Sequence, residues 1–176
     1  MVRVSLKTPQ VIKLMWSEKY RPQIISDMVG NEEPRTAIMT WFAKWKKGTK
    51  PLLILGPPGI GKTTIAYLLA KQFDYDMIGL NASDVRSKSR LNEILTPVLS
   101  NVSVLGTPMI FIDEVDGIHG RGDYGGASAL VNILKKPNVP ILLAANYDDS
   151  DKMKSIKKAV TTISFKKFRL VFYVFI

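Results

Sequence analysis

The chain has 176 residues, 46% of them hydrophobic and 23% charged, which suits one folded domain with a real core and leaves little room for a second. Its net charge of +10, from 25 Lys and Arg against 15 Asp and Glu, favours polyanionic partners, nucleic acid first, although a solvated lysine-rich surface accounts for the same balance. The lack of cysteine excludes disulfides and thiolate metal sites, no apolar run reaches membrane-spanning length, and the opening MVRVSLKTPQVIKLMW carries no signal-peptide cleavage site, so the expected compartment is the cytoplasm, with no membrane partner.

In chain order, the first clear element is NEEPRTAIMTWFAKWKKG (31–48), a predicted helix capped by Asn31, with Glu32 and Glu33 in its first turn and Gly48 at its end. Ile38, Trp41, Phe42 and Trp45 fall on one stripe, a spacing that suits core packing better than base stacking. Short apolar runs then alternate with helical patterns. PLLILG (51–56) reads as a buried strand, and Lys62 to Phe73 as a helix. MIGLNAS (77–83) is a strand and Ser87 to Leu99 a helix. MIFIDEVD (109–116) is a strand, followed by a glycine-rich loop and a helix through Leu134. VPILLAAN (139–146) is a strand, followed by a lysine-rich helix and TTISF (161–165) as a fifth strand. Such alternation with unbroken apolar strands predicts an α/β fold, a parallel five-stranded sheet sandwiched between helices.

Three sites along these elements carry chemistry. LGPPGIGKTT (55–64) matches Gly-x-x-x-x-Gly-Lys-Thr between a strand and a helix, a loop whose backbone N–H groups and helix dipole converge on phosphate. Gly56, Gly59 and Gly61 give the turn room, Pro57 and Pro58 stiffen its entry, and Ile60 and Thr64 complete the stretch assigned to ATP. Lys62 is expected to reach the outer phosphates and the Thr63 hydroxyl to ligate Mg2+. In IFIDEVD, Asp113 serves the magnesium, and the adjacent Glu114 is a candidate base that orients the attacking water, which favours hydrolysis over mere binding. Asp116 is read as a residue that caps or turns its own loop. Asn146, just past VPILLAA, is placed to touch the γ-phosphate or the attacking water, though asparagine is common in such turns.

GPPGIGKTT, FIDEVD and the strand-ending Asn146 together resemble the AAA+ ATPases, a P-loop NTPase family. WSEKYRP (16–22) and LNASDVR (80–86) resemble the clamp loaders of the replication factor C type, and IDEVDGIHGRGDYGGASALVNILKKPNVPILLAAN is similar to their archaeal large subunit. The resemblance runs from about Trp16 to Phe165, making 16–165 the ATP-binding domain and 1–15 an N-terminal extension, with a start at Met1 or Met15. It implies an ATP-driven machine that loads a sliding clamp onto primed DNA, in a hetero-oligomer with small subunits. It also implies that Tyr20, Arg21 and Pro22 pack near the adenine, with Val29 and Gly30 close by; without it, EKYRP reads as an ordinary proline-terminated loop. Arg86, Lys88 and Arg90 open a helix, with Arg86 and Arg90 four apart on one face. A phosphodiester contact and a solvated basic turn are both open, and the family favours DNA.

The sequence also departs from that family. Gly79 stands where an acidic residue is frequent, and there is no Ser-Arg-Cys segment and no arginine from Gly122 to Phe168, which fits a large subunit. His119 has no metal partner in the pattern. The family's helical lid and collar are missing, and 166–176 is an atypical apolar tail, closing with LVFYVFI. The expectation is a reading-frame shift near residues 165–169. Two functions therefore stay open, a working ATPase subunit and a truncated nucleotide-binding fragment without productive turnover. A phosphoryl-transferring kinase is disfavoured by Glu114 beside Asp113 and by the lack of an acceptor lid.

Overall fold

The apolar runs that punctuate the chain form five parallel strands, β1 (Leu52–Leu55), β2 (Tyr75–Leu80), β3 (Thr107–Ile112), β4 (Ile141–Ala145) and β5 (Thr161–Ser164). The computed structural model describes residues 19–81, 84, 87–100, 106–118, 125–147 and 150–167. The strands lie in the order β2-β3-β4-β1-β5, every neighbouring pair parallel. Among the described residues, helix α1 (Glu32–Ala43) precedes the first strand, and α2 (Lys62–Gln72), α3 (Lys88–Ser100), α4 (Gly126–Lys135) and α5 (Asp151–Ala159) lie in the four connections between strands.

Both faces of the sheet are covered, which is why its central strands are continuously apolar rather than alternating. Leu52 and Ile54 of β1 point into a core shared with Ile38 and Phe42 of α1 and Ile65 and Leu69 of α2. Leu53 and Leu55 point the other way, into a core completed by Leu91 and Leu95 of α3, Leu130 and Leu134 of α4, and Met153 and Ile156 of α5. All of β1 and all of β4 are buried. At the sheet edge, β5 keeps Thr161, Thr162 and Ser164 exposed, as a strand with one covered face requires. The five-stranded parallel sandwich expected from the alternation is the fold observed.

Element ends differ from expectation for local reasons. Helix α1 stops at Ala43, so Trp45 lies beyond it, half-buried, and only Ile38 and Phe42 of the stripe are fully buried. Trp41 packs edge-on to Phe42 at 4.9 Å and donates its indole N–H to the Lys50 carbonyl at 3.1 Å, a core role. Asn31 does not cap α1. It sits in the left-handed region (φ 52°), and its carboxamide instead pairs with the main chain of Lys166, donating to the carbonyl at 3.0 Å and accepting from the N–H at 2.7 Å. The expected strand over 109–116 ends at Ile112, so that Asp113, Glu114 and Asp116 lie on the loop beyond it. The expected strand over 77–83 ends at Leu80, where Asn81 and Asp84 exchange hydrogen bonds in a turn.

The segment after β5 is anchored against the phosphate loop. Phe165 is fully buried, its N–H bonds the Leu55 carbonyl at 2.7 Å, and its carbonyl accepts from the Tyr147 hydroxyl at 3.1 Å. A methyl group built on Gly56 falls 2.9 Å from that carbonyl oxygen and 3.0 Å from the Phe165 Cβ. Gly56 is therefore required for close packing. Gly56→Ala is expected to destabilise the fold by about 1–3 kcal/mol, the usual cost of forcing backbone apart in a packed core. A thermal unfolding scan of the two proteins checks this, and an unchanged midpoint would contradict it.

Candidate functional site

Because β3, β4 and β1 are adjacent, the loops at their carboxyl ends meet at one place, the position where open α/β sheets hold ligands. The β1 loop is the phosphate loop, turned by Gly59 (φ 73°) and Gly61 (φ 93°) in a conformation that side-chain-bearing residues rarely adopt. Gly61 is also the N-cap of α2, and no side chain satisfies the first-turn N–H groups there. That leaves an open helix N-terminus, which favours an anion. A cavity of about 280 Å³ lies in front of it. Pro58, Gly59, Gly61, Lys62, Thr63 and Thr64 line one side of it, with Asp113, Glu114, Asp116 and Asn146 opposite.

Lys62 is buried, 8% exposed, and its ammonium has three oxygen partners, the Gly56 carbonyl at 2.7 Å, the Pro57 carbonyl at 2.9 Å and Asn146 Oδ1 at 3.1 Å. Burial lowers its pKa below the ordinary 10.5, against the opposing pull of Asp113, Asp116 and Glu114. A desolvated cation held by neutral oxygens gains by meeting phosphate. The Thr63 hydroxyl donates to Asp113 Oδ2 at 2.6 Å, which sets a hydroxyl and a carboxylate oxygen side by side. The other Asp113 oxygen accepts the Glu114 N–H at 2.9 Å. Glu114 adopts φ 53°, uncommon for a side chain of its size, and stands exposed at the cavity wall.

Asp116 does more than shape its loop. Its carboxylate reaches across to β4 and accepts the Asn146 backbone N–H at 3.1 Å and the Asn146 Nδ2 at 2.9 Å. This partner was missed in the sequence. Its only signal was the spacing Asp-x-x-Asp (113–116) at the end of a strand bound for the sheet's centre.

A second cavity, about 560 Å³, adjoins the first at Thr63 and Thr64 and is lined by Arg21, Pro22 and Gln23 together with Tyr67, Leu68 and Lys71 of α2. Arg21 and Pro22 thus lie on it, whereas Tyr20 (67% exposed) and Val29 (80% exposed) line neither cavity. Tyr67, four residues after Thr63 on the same helix face, is an additional aromatic wall. Met28 rather than Val29 approaches the phosphate loop, its Cε lying 2.9 Å from where a Gly61 side chain would begin. Lys88 and Arg90 are exposed at the start of α3, and Arg90 pairs with Glu93 at 3.0 Å, while Arg86 lies outside the described residues. Most of the glycine-rich loop, with His119, and the tail from 168 also lie outside them.

A family model described as "ATPase family associated with various cellular activities (AAA)" matches residues 52–171, more than half of the chain. The chain belongs to the AAA ATPase family. Curated relatives narrow the likeness. The chain is similar to the replication factor C large subunit of Thermofilum pendens, 44% identical over 157 residues that make up 86% of this chain and 38% of the relative. It is similar likewise to that of Methanosphaera stadtmanae, at 42% over 158 residues (88% and 30%), and that of Pyrobaculum calidifontis, at 34% over 172 residues (86% and 41%). The chain thus spans roughly a third of the length of the relatives it matches, and what it matches in them contains this AAA site.

The donor set fits a magnesium nucleotide. Among the described residues no group of three or more His, Asp or Glu could hold a metal unaided. Magnesium is instead usually held by one or two carboxylates, with waters and substrate phosphates completing its shell, and Thr63 with Asp113 offers such a partial set. Among the same residues no helix is long and apolar enough to cross a membrane.

Proposed function

We propose that this chain binds and hydrolyses ATP as the motor part of a sliding-clamp loader's large subunit. One observation carries the reading: Lys62, Thr63, Asp113, Glu114 and Asn146 line one cavity in a chain 44% identical to a replication factor C large subunit. When bound, Mg2+ neutralises charge on the outer phosphates. The chain supplies the rest. The open N-terminus of α2 and the loop of Gly56 to Gly61 seat the phosphate chain. Lys62 exchanges its carbonyl partners for phosphate oxygens, and Thr63 and Asp113 would hold the ion. Glu114, whose left-handed backbone sets it at the cavity wall, takes a proton from the attacking water, and Asn146 helps to position that water. Arg21, Pro22 and Tyr67 border the space available to the base.

The resemblance to replication factor C large subunits supports the wider setting we propose, in which small subunits, a sliding clamp and primed DNA are the partners, with Arg86, Lys88 and Arg90 as the candidate contacts to the phosphodiester backbone. Steady-state ATPase assays with and without primed DNA and clamp test it. The expected result is stimulation by both. A flat baseline that neither DNA nor clamp raises would support the fragment reading, in which this chain holds nucleotide without productive turnover.

A further inference from the structure

Asn146 could serve this site in two opposite ways, since a carboxamide offers an oxygen that accepts and a nitrogen that donates. Its neighbours decide which end faces the cavity. An ammonium only donates, so the atom 3.1 Å from Lys62 Nζ is the oxygen; an ionised carboxylate only accepts, so the atom 2.9 Å from Asp116 Oδ2 is the nitrogen. The two contacts enforce one orientation from opposite sides. Asp116 Oδ1 also takes the backbone N–H of the same residue at 3.1 Å, so the carboxylate grips Asn146 at two points on a short strand end.

We infer that Asp116 is a positioning residue, which fixes Asn146 with its oxygen toward the phosphate cavity and so makes it an acceptor there. This rests on the ATPase reading and deepens it. An acceptor is suited to the O–H of the attacking water, and to Lys62 before nucleotide arrives, rather than to a phosphate oxygen. Phosphate entry draws Lys62 away from Asn146 Oδ1 and leaves that oxygen free for the water. Asp116 stays on the far side of the carboxamide throughout and prevents its reversal. The same grip explains the three-residue spacing between Asp113 and Asp116. The short turn at Val115–Gly117 brings Asp116 to Asn146 at the carboxyl end of β4, while Asp113 stays beside Thr63.

The test uses the full chain with four proteins: wild type, Asp116→Ala, Asn146→Ala and the double variant. Fluorescent ATP gives affinity and single-turnover hydrolysis gives rate. Asp116→Ala is expected to slow hydrolysis about 10–100-fold, the usual loss when a reacting group is misplaced by about an ångström. Affinity is expected to change by less than about threefold, and Asp116→Ala should add nothing once Asn146 is already Ala, as for residues acting as a unit. An equal further loss in the Asn146→Ala background, or a fall in affinity that matches the fall in rate, would overturn the inference. Asp116→Asn, which keeps the shape and one acceptor, should lie between wild type and Asp116→Ala and guards against misfolding. The Asn146 side-chain amide resonances give a readout that needs no turnover. They are expected to be distinct and protected from exchange in wild type and to lose that protection in Asp116→Ala. A wild type that does not hydrolyse ATP would defeat the functional reading but leave this second readout intact, and unchanged protection in Asp116→Ala would defeat the positioning role.

Discussion

Replacing Glu114 with Gln should leave ATP binding intact and slow hydrolysis by roughly a hundred to ten thousand fold, the share a positioned general base contributes. The separation of the two effects follows from where the side chain stands. In the proposed arrangement phosphate and metal contacts belong to Lys62, Thr63 and Asp113, and the Glu114 carboxylate has no hydrogen bond to their side chains; its backbone N–H, which donates to Asp113 Oδ1, is untouched by the substitution. The left-handed φ of 53° is unchanged too, so the fold is not relieved of any strain stored there. Equilibrium binding of labelled ATP beside single-turnover hydrolysis measures both quantities. A variant as fast as wild type would remove Glu114 from the mechanism.

Lys62→Ala acts on the other side of that division, with affinity lost before any chemistry begins. Hydrogen bonds to a charged group are worth about 1.5–3 kcal/mol each, so the variant should bind ATP about tenfold to more than a hundredfold more weakly. The pH dependence of wild-type binding carries a matching signature. The folded, unliganded pKa of Lys62 is depressed below 10.5 by burial, so over the window between the two values the unfolded chain holds the proton more readily. Stability therefore rises with pH across that window, while affinity for polyphosphate falls there, because the cation it needs is being lost. In Lys62→Ala this alkaline decline in affinity should vanish. A decline of the same size in the variant would assign it to another group.

How much of this was legible in the sequence depended on whether a signal was local. The strands β1 and β4 were plain because both faces are buried and their residues are apolar without a break. The phosphate loop was plain because glycines at positive φ and a lysine at a fixed offset answer a local geometric demand. Asn31 misled, since its sequence position suits a cap while a partner 135 residues away, Lys166, claims its side chain. The partner of Asp116 was hidden for the same reason. That partner, Asn146, is 30 residues off, just past the end of a strand whose neighbour only the sheet order reveals. The second cavity was hard to read for both reasons. Arg21 and Pro22 reach the second cavity, but Tyr67 and Lys71 join it through the turn of α2, and helical phase alone does not say which face a neighbouring segment will cover.

Calorimetric titration of ATP into this chain, with and without Mg2+, tests the central claim most directly. Saturable binding near one ATP per chain, strengthened by Mg2+ and weakened in Lys62→Ala, is the result the site predicts. Its residues require it: one open helix N-terminus, one buried ammonium and one hydroxyl–carboxylate pair facing a single cavity. No binding by the folded wild type, or binding indifferent to both Mg2+ and Lys62, would contradict it.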